Sequence, residues 1–360
     1  MNTLPELKIK DIILKFPIVQ GGMGAWISIK ELTREVHLHG GLGVLSSAGL
    51  KGVYSLKKKR SYTTYEAVRE EIETAMAGGY RVGINVMRIL DESYDETIRA
   101  AIDAKVSAIF LGAGVPKLIE NPGETAQVLI ASSARTLKII LRRWRHRPDA
   151  VVLEGPKAGG HLGFKLEDVE KPEFALENIL PEVLQVANDN GEIPVIVAGG
   201  VWDRADINKY LGMGASGVQM GTRFAATVES GASDEFKRQI VNCTKEDIIV
   251  VNSSPCGFPF RIIKNSPAYL ELVEGKRHPK CRMGYVLGKD KEGLYTVCKA
   301  APNNPLNKDY FCICDGLRAA IGLAPGEPPM YTVGANAYRV KEIISVAQLM
   351  GELTGNEVVS

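Results

Sequence analysis

The chain has 360 residues, of which 45% are hydrophobic and 24% charged. This composition supports one large α/β barrel or two medium domains, and it excludes an intrinsically disordered chain. Lysine and arginine (44) outnumber aspartate and glutamate (42) by only two, so nothing points to nucleic acid or an anionic membrane as a partner. The first ten residues lack the apolar core of a signal peptide, and no apolar run reaches the ~18 residues of a membrane helix. A soluble, cytoplasmic protein is therefore expected.

Eight short apolar runs, most of them followed by glycine or serine, divide the first 225 residues. In chain order these runs are 16–20, 43–45, 81–87, 108–111, 127–131, 151–154, 194–197 and 217–220. Segments with helical periodicity alternate with them, at 28–39, 63–78, 94–105, 134–146, 176–189 and 203–213. Continuous apolar strands that alternate with helices are typical of a parallel sheet buried on both faces. Eight of them predict an α/β fold of the TIM (β/α)8 barrel type. The alternative, a doubly wound open sheet, lacks its G-x-G-x-x-G fingerprint here.

The pattern changes after residue 225. Three segments follow before helical periodicity returns at 340–353: a helical one at 226–240, an interrupted strand at 248–263, and an aperiodic stretch rich in Gly, Pro, Asn, Lys and Cys at 275–316. We therefore predict a barrel formed by residues 1–225 and completed by 331–360. A smaller, cysteine-containing α+β insert is predicted at 226–330.

The loop after the first predicted strand carries no bulky side chain except Met23. Glycine lets a backbone approach a flat ligand closely, so Gly22, Met23 and Gly24 are predicted to face a planar ring system. Asn85, at the end of the third strand, both donates and accepts hydrogen bonds, which suits the alternating edge of a flavin. The alternative is an asparagine that only closes its strand.

One of the five histidines has an unusual setting. An apolar strand ends at Glu154, and Gly159 and Gly160 directly precede His161. Histidine exchanges protons near neutral pH, and the glycines bring the backbone close to a ligand. His161 is therefore the predicted catalytic residue. A surface histidine on a glycine-rich connection is the alternative.

The seventh and eighth strands end in Ala198-Gly199-Gly200 and in Gln219-Met220-Gly221-Thr222. In a barrel these neighbouring loops form the usual phosphate pocket, because their bare N–H groups can point at an anion. Thr222 adds a hydroxyl. Asp203 is as well suited to cap the next helix as to contact a ligand.

All six cysteines follow the barrel strands. Cys281, Cys298, Cys312 and Cys314 are a candidate zinc or iron–sulfur cluster, but their spacing lacks the C-x-x-C pairs typical of metal sites. Reduced cysteines are the favoured interpretation. No other metal set is visible, since the histidines are scattered.

Five motifs together resemble the nitronate monooxygenase (2-nitropropane dioxygenase-like) family, which includes FMN-dependent enoyl-acyl-carrier-protein reductases. The matching segments are 17–24, Asn85, 159–161, 198–201 and 217–224, within a similarity over about residues 8–226. The resemblance implies a TIM barrel with a smaller α+β insert, one non-covalent FMN at the barrel mouth, and His161 on the substrate side of its ring.

The resemblance also implies roles for single residues. Gly22, Met23 and Gly24 would line the ring; Asn85 and Glu154 would contact the ring or the ribityl chain. Gly159 would approach by its backbone, and Gly200 with residues 219–222 would hold the phosphate. Glu154 and the triplet 85–87 resemble the reductases more than the monooxygenases.

Three functions follow from these observations. The first is oxidation of alkyl nitronates with O2 to a carbonyl compound and nitrite. The second is reduction of an enoyl thioester with NAD(P)H, which adds an acyl-carrier protein as partner. The third is a flavin-binding or scaffold protein without turnover. A small-molecule substrate is expected for the first two, and the sequence leaves a homo-oligomer open.

Overall fold

The computed structural model describes residues 3–278, 286–289 and 295–355. Its strands are β1 (Leu7–Ile9), β2 (Ile12–Leu14), β3 (Ile18–Gln20), β4 (Leu42–Ser46), β5 (Val82–Met87), β6 (Ala108–Gly112), β7 (Ala126–Ala131), β8 (Ala150–Glu154), β9 (Gly160–His161), β10 (Val195–Ala198), β11 (Gly217–Met220), β12 (Ile248–Val251), β13 (Phe260–Ile263), β14 (Val286–Lys289) and β15 (Tyr295–Val297).

The helices are α1 (Lys30–Leu38), α2 (Leu50–Lys57), α3 (Thr64–Met76), α4 (Asp91–Asp103), α5 (Ala134–Arg143), α6 (Leu176–Asp189), α7 (Arg204–Gly212), α8 (Thr222–Ala225), α9 (Asp234–Asn242), α10 (Pro267–Val273), α11 (Ile313–Ala320) and α12 (Val346–Thr354). Across the described residues, none of them is long and apolar enough to cross a membrane.

Eight parallel strands form a closed barrel in the order β3-β4-β5-β6-β7-β8-β10-β11, with β11 pairing back to β3. Each predicted apolar run overlaps one of these strands, so the predicted TIM barrel is confirmed. The barrel also explains the runs: a parallel strand covered by helices outside and side chains inside has no solvated face.

The inside of the barrel is filled by alternate residues of its strands. Phe110, Val128, Val152 and Ile196 belong to this interior cluster, whereas Leu153 and its equivalents pack against the helices. The hairpin β1–β2 adds four further buried side chains to the interior: Leu7, Ile9, Ile12 and Leu14. It closes the end where the strands begin, because a Cβ on Gly217, the first residue of β11, would lie 2.9 Å from Leu7 Cδ2.

The region after residue 225 differs from the sequence prediction in detail. The helix expected at 226–240 begins only at Asp234, where Ser233 accepts a hydrogen bond from the N–H of Phe236. The strand expected at 248–263 is two antiparallel strands, β12 and β13, and β13 also pairs with β9. The prediction missed β9 because its partner lies about a hundred residues further along the chain.

The last segment crosses the barrel mouth before it ends in α12, which begins at Val346 rather than at 340. Val346, Leu349, Met350 and Leu353 join the layer between barrel and helices. A single bridge links Thr227 with Ile344. The division at residues 225 and 331 remains a prediction.

Candidate functional site

A cavity of about 570 Å³ opens at the carboxyl ends of the barrel strands. This is the face where barrel enzymes carry their chemistry. His161 and every predicted cofactor-binding residue line it: Gly22, Met23, Gly24, Asn85, Glu154, Gly159, Gly199, Gly200, Gln219, Met220, Gly221 and Thr222. The structure therefore brings together residues that are up to 200 positions apart.

Strand alternation aims three of these side chains inward. In β8, Ala150 and Val152 point into the barrel, so Glu154 points the same way at the rim. In β5, Ile84 and Val86 pack outward and Asn85 faces the interior. In β11, Val218 and Met220 pack outward, so Gln219 between them faces the interior. Met220, by contrast, directs its side chain into the outer layer.

The loop between β8 and β9 and the loop after β10 are each packed too closely for a side chain at one glycine. A Cβ on Gly159 would lie 2.7 Å from the carbonyl carbon of Val333, and one on Gly199 would lie 2.7 Å from the oxygen of Gly155. Gly199 and Gly200 also have φ of 89° and 99°, which side chains rarely adopt. Glycine at these positions is therefore required by the protein's own packing.

Backbone donors gather where the phosphate was predicted. Within the described residues, the N–H groups of Gly199, Gly200, Gly221 and Thr222 make no hydrogen bond to the protein. The Thr222 hydroxyl accepts from the N–H of Gly334 at 2.8 Å, which leaves its own proton for another acceptor. Asp203 accepts from the N–H of Asp206, so its predicted capping role is confirmed.

His161 lies between two aromatic rings at the cavity wall. Its ring meets the edge of Phe260 at 4.7 Å and of Phe258 at 6.4 Å between centroids. Its Nε2 is buried and has no hydrogen-bond partner among the described residues. Burial lowers the pKa of His161 to about 4 because a charged imidazole would lose its hydration. At neutral pH the imidazole is uncharged.

Glu154 faces the same cavity, and its pKa is shifted in the opposite direction. Burial disfavours the carboxylate and raises the pKa of Glu154 to about 7. At pH 7, Glu154 is therefore protonated in a substantial fraction of the molecules, and in that form it can donate a hydrogen bond. The cavity thus presents an uncharged base and a carboxyl group that titrates near neutral pH.

Four thiols line the cavity on the side of the insert: Cys256, Cys298, Cys312 and Cys314. Burial, with the neighbouring thiols adding to it, raises the pKa of Cys314 well above its usual range. Cys281 of the candidate cluster lies outside the described residues. In the part of the chain that the structure describes, no three His, Cys, Asp or Glu side chains are grouped to hold a metal ion.

The sequence prediction missed the aromatic wall around His161. Phe258 and Phe260 follow a Pro-Cys-Gly segment that has no periodicity, so no local signal placed them beside a loop a hundred residues earlier. It also missed Asn336, whose Nδ2 donates to the carbonyl of Gly200 at 2.6 Å.

A profile described as "Nitronate monooxygenase" matches residues 52–356. The chain belongs to the nitronate monooxygenase family. The resemblance drawn from its five motifs is confirmed, and the chain is an oxidoreductase.

Curated relatives agree with the family at modest identity. A probable nitronate monooxygenase of Staphylococcus haemolyticus is 28% identical over 268 residues, covering 66% of this chain and 72% of the relative. A Rhodococcus jostii protein, (3aS,4S,5R,7aS)-5-hydroxy-7a-methyl-1-oxo-octahydro-1H-indene-4-carboxyl-CoA dehydrogenase, is 28% identical over 312 residues, covering 86% of this chain and 78% of the relative.

Solved structures share the fold. FabK from Thermotoga maritima matches with a TM-score of 0.72 at 24% identity, covering 95% of this chain and 93% of its own. Nitroalkane oxidase from Streptomyces ansochromogenes matches with a TM-score of 0.67 at 21% identity, covering 96% of both chains.

Proposed function

We propose that the cavity binds FMN and that the protein oxidises alkyl nitronates with O2 to a carbonyl compound and nitrite. The observation that carries this proposal is the convergence of His161 and all predicted cofactor residues on one cavity in a chain of the nitronate monooxygenase family.

The residues present fit a flavin phosphate and ring. The unused N–H groups of Gly199, Gly200, Gly221 and Thr222 form a cradle for a phosphate, since backbone amides are suitable anion donors. Gly22 and Gly24 keep one wall flat. Asn85, Glu154 and Gln219 add polar groups that can hydrogen-bond the edge of the ring system.

Bound in this cavity, FMN would supply the electron transfer and the reaction with O2. The protein's own contribution is position and proton control. His161 is neutral and has a buried ring nitrogen without a partner, so it can accept the α-proton of a neutral nitroalkane or donate to a nitronate oxygen. The aromatic rings of Phe258 and Phe260 limit its rotation and keep water away from it.

An anaerobic titration tests the proposal. The purified protein should be yellow, and propyl nitronate should bleach the flavin absorbance without any nicotinamide. Admission of O2 should restore the colour and release nitrite. Colourless protein that FMN cannot reconstitute, or flavin that propyl nitronate never bleaches, would contradict the proposal.

The second candidate is an oxidoreductase of acyl thioesters. The Rhodococcus relative, named a dehydrogenase of a carboxyl-CoA compound, aligns over a larger share of this chain than the Staphylococcus relatives do. The insert side of the cavity is apolar, lined by Phe258, Ile313 and Leu317, which suits an acyl chain. In this function NAD(P)H would be the electron donor and an acyl-carrier protein or coenzyme A would carry the substrate.

The same anaerobic sample separates the two candidates. Bleaching by NADH or NADPH alone, followed by return of the colour with crotonyl thioester, supports the thioester function. Bleaching by nitronate and not by nicotinamide supports the first proposal.

A further inference from the structure

Arg261 is a charged side chain in an unusual position. It lies in β13 and is only 2% exposed. Burial lowers its pKa to about 10, so the guanidinium stays charged at neutral pH. Burying a charge is costly unless hydrogen bonds compensate it, so the acceptors of this guanidinium indicate what it does.

The guanidinium holds the loop that leads to His161. Its Nη1 donates to the carbonyl of Pro156 at 2.7 Å and to that of Ala158 at 2.6 Å. The carbonyl between them, that of Lys157, accepts from the N–H of Ala335 at 3.1 Å. Three consecutive carbonyls are thus held by residues from the last third of the chain. Glu170 Oε1 lies 3.8 Å from Arg261 Nη2, and its side chain is 91% exposed, so it screens the charge weakly.

The strand that carries Arg261 also holds the imidazole. β13 pairs with β9 so that Arg261 stands opposite Gly160 and Phe260 stands opposite His161. Phe260 packs its ring on His161 at 4.7 Å. Two adjacent residues of β13 therefore set the backbone before His161 and the orientation of its ring.

We propose that Arg261 is a positioning residue: through Pro156 and Ala158 it fixes the backbone of residues 157–161, and with it His161 and the close approach of Gly159. The role in turnover rests on the proposed function; the role in fixing the loop does not. A displacement of about 1 Å in an active site can reduce the rate by about 10²-fold, so a loosened loop should slow turnover more than it weakens folding.

The test uses Arg261→Met, which keeps the apolar stem, and Arg261→Lys, which keeps a charge that one nitrogen can share between two carbonyls. Arg238→Met is the matched control, because Arg238 is exposed on α9 and pairs with Glu235 of the same helix. Hydrogen exchange of residues 157–161 is measured without cofactor; kcat, KM and the visible circular dichroism of bound flavin are measured with it.

We expect Arg261→Met to speed exchange of residues 157–161 at least tenfold, to lower kcat at least tenfold with a smaller change in KM, and to alter the flavin's circular dichroism. Arg261→Lys should recover part of each effect, and Arg238→Met should equal the wild type. Unchanged exchange and unchanged circular dichroism in Arg261→Met, with only a lower melting temperature, would overturn the proposal.

If Arg261→Met does not fold, the same comparison is decided by Arg261→Lys, for which wild-type exchange and dichroism overturn the proposal. If nitronate is not a substrate or flavin does not bind, the proposed function fails, while hydrogen exchange still decides the role of Arg261.

Discussion

At the scale of single residues, the cavity is distinguished by two titratable groups that burial shifts in opposite directions. His161 becomes harder to protonate and stays neutral at pH 7, whereas Glu154 becomes harder to ionise and titrates near neutral pH. Groups with such shifts cluster at functional sites. A neutral imidazole and a carboxyl group that titrates near neutral pH suit the flat ring system of the proposed flavin.

His161→Gln should leave the flavin bound and slow oxidation of a neutral nitroalkane at least tenfold, because general-base removal of the α-proton contributes about 10²–10⁴-fold. Steady-state kinetics and the flavin spectrum measure the two effects. His39→Gln is the control, since His39 lies at the end of α1 beside Glu35 and away from the cavity. An unchanged rate in His161→Gln would remove its catalytic role.

The pH profile gives a second measure of His161. Since burial lowers its pKa to about 4, kcat/KM should be flat between pH 6 and 8 in Glu154→Gln, which lacks the cavity group with a pKa of about 7, and should decline only as the pH falls toward 4. A break near pH 6.5, the ordinary value for histidine, would show an imidazole in contact with water.

Glu154→Gln should remove a pH dependence of stability. The folded-state pKa of about 7 lies above the ordinary 4.5, so between these values the folded chain keeps a proton that the unfolded chain has lost. The wild type must then lose stability as the pH rises from about 5 to 8. The loss should be about 2 kcal/mol, after allowance for water in the cavity. Urea unfolding of the cofactor-free protein at both pH values measures this loss. An equal change of unfolding free energy with pH in the wild type and in Glu154→Gln would contradict the raised pKa of Glu154.

At the scale of elements, the loop between β8 and β9 depends on close backbone packing. Gly159→Ala would put a Cβ 2.7 Å from the carbonyl carbon of Val333 and 2.8 Å from the nitrogen of Gly334. We expect a loss of about 1–3 kcal/mol, typical of overpacking, and weaker flavin binding, because the loop must move from its neighbours.

The control is Gly212→Ala at the end of α7, where an added Cβ meets no atom within 4 Å. Alanine is better than glycine in a helix by up to about 1 kcal/mol, so this variant should be neutral or more stable. Urea unfolding and FMN titration of both variants make the comparison. Equal behaviour of the two would show that the loop tolerates displacement.

The barrel elements could be predicted because their signals are local. Each strand is a short apolar run, and alternation within a strand decides that Glu154 and Asn85 face inward. The contacts of β13 could not be predicted in this way. Its pairing with β9 joins residues about a hundred positions apart, and nothing near Arg261 in the sequence indicates a buried guanidinium. The helix α2 was missed because lysines and a glycine obscure its periodicity.

At the scale of the whole molecule, the barrel is sealed at the end opposite the cavity by the hairpin β1–β2. Leu7 is buried in the interior cluster, whereas Ile13 of the same hairpin is 59% exposed. The hairpin also contacts loops from elsewhere in the barrel, since Lys10 donates to the carbonyl of Gly123.

Leu7→Ala should therefore cost about 2–5 kcal/mol of unfolding free energy, the range for a large core side chain replaced by alanine. Ile13→Ala removes a similar side chain from the exposed face and should change stability by less than about 0.5 kcal/mol. Urea unfolding of the two variants tests whether the hairpin is part of the core. Similar losses, or none in either, would show that it is not.

The final thirty residues touch three loops of the rim: Gly334 donates to Thr222, Ala335 to Lys157 and Asn336 to Gly200. Synthesis proceeds from the N-terminus, so these contacts form only after the tail has left the ribosome. A nascent chain would contain all eight barrel strands before it could close the pocket. The proposed cofactor should therefore bind tightly only after residues 334–336 have emerged and closed the rim.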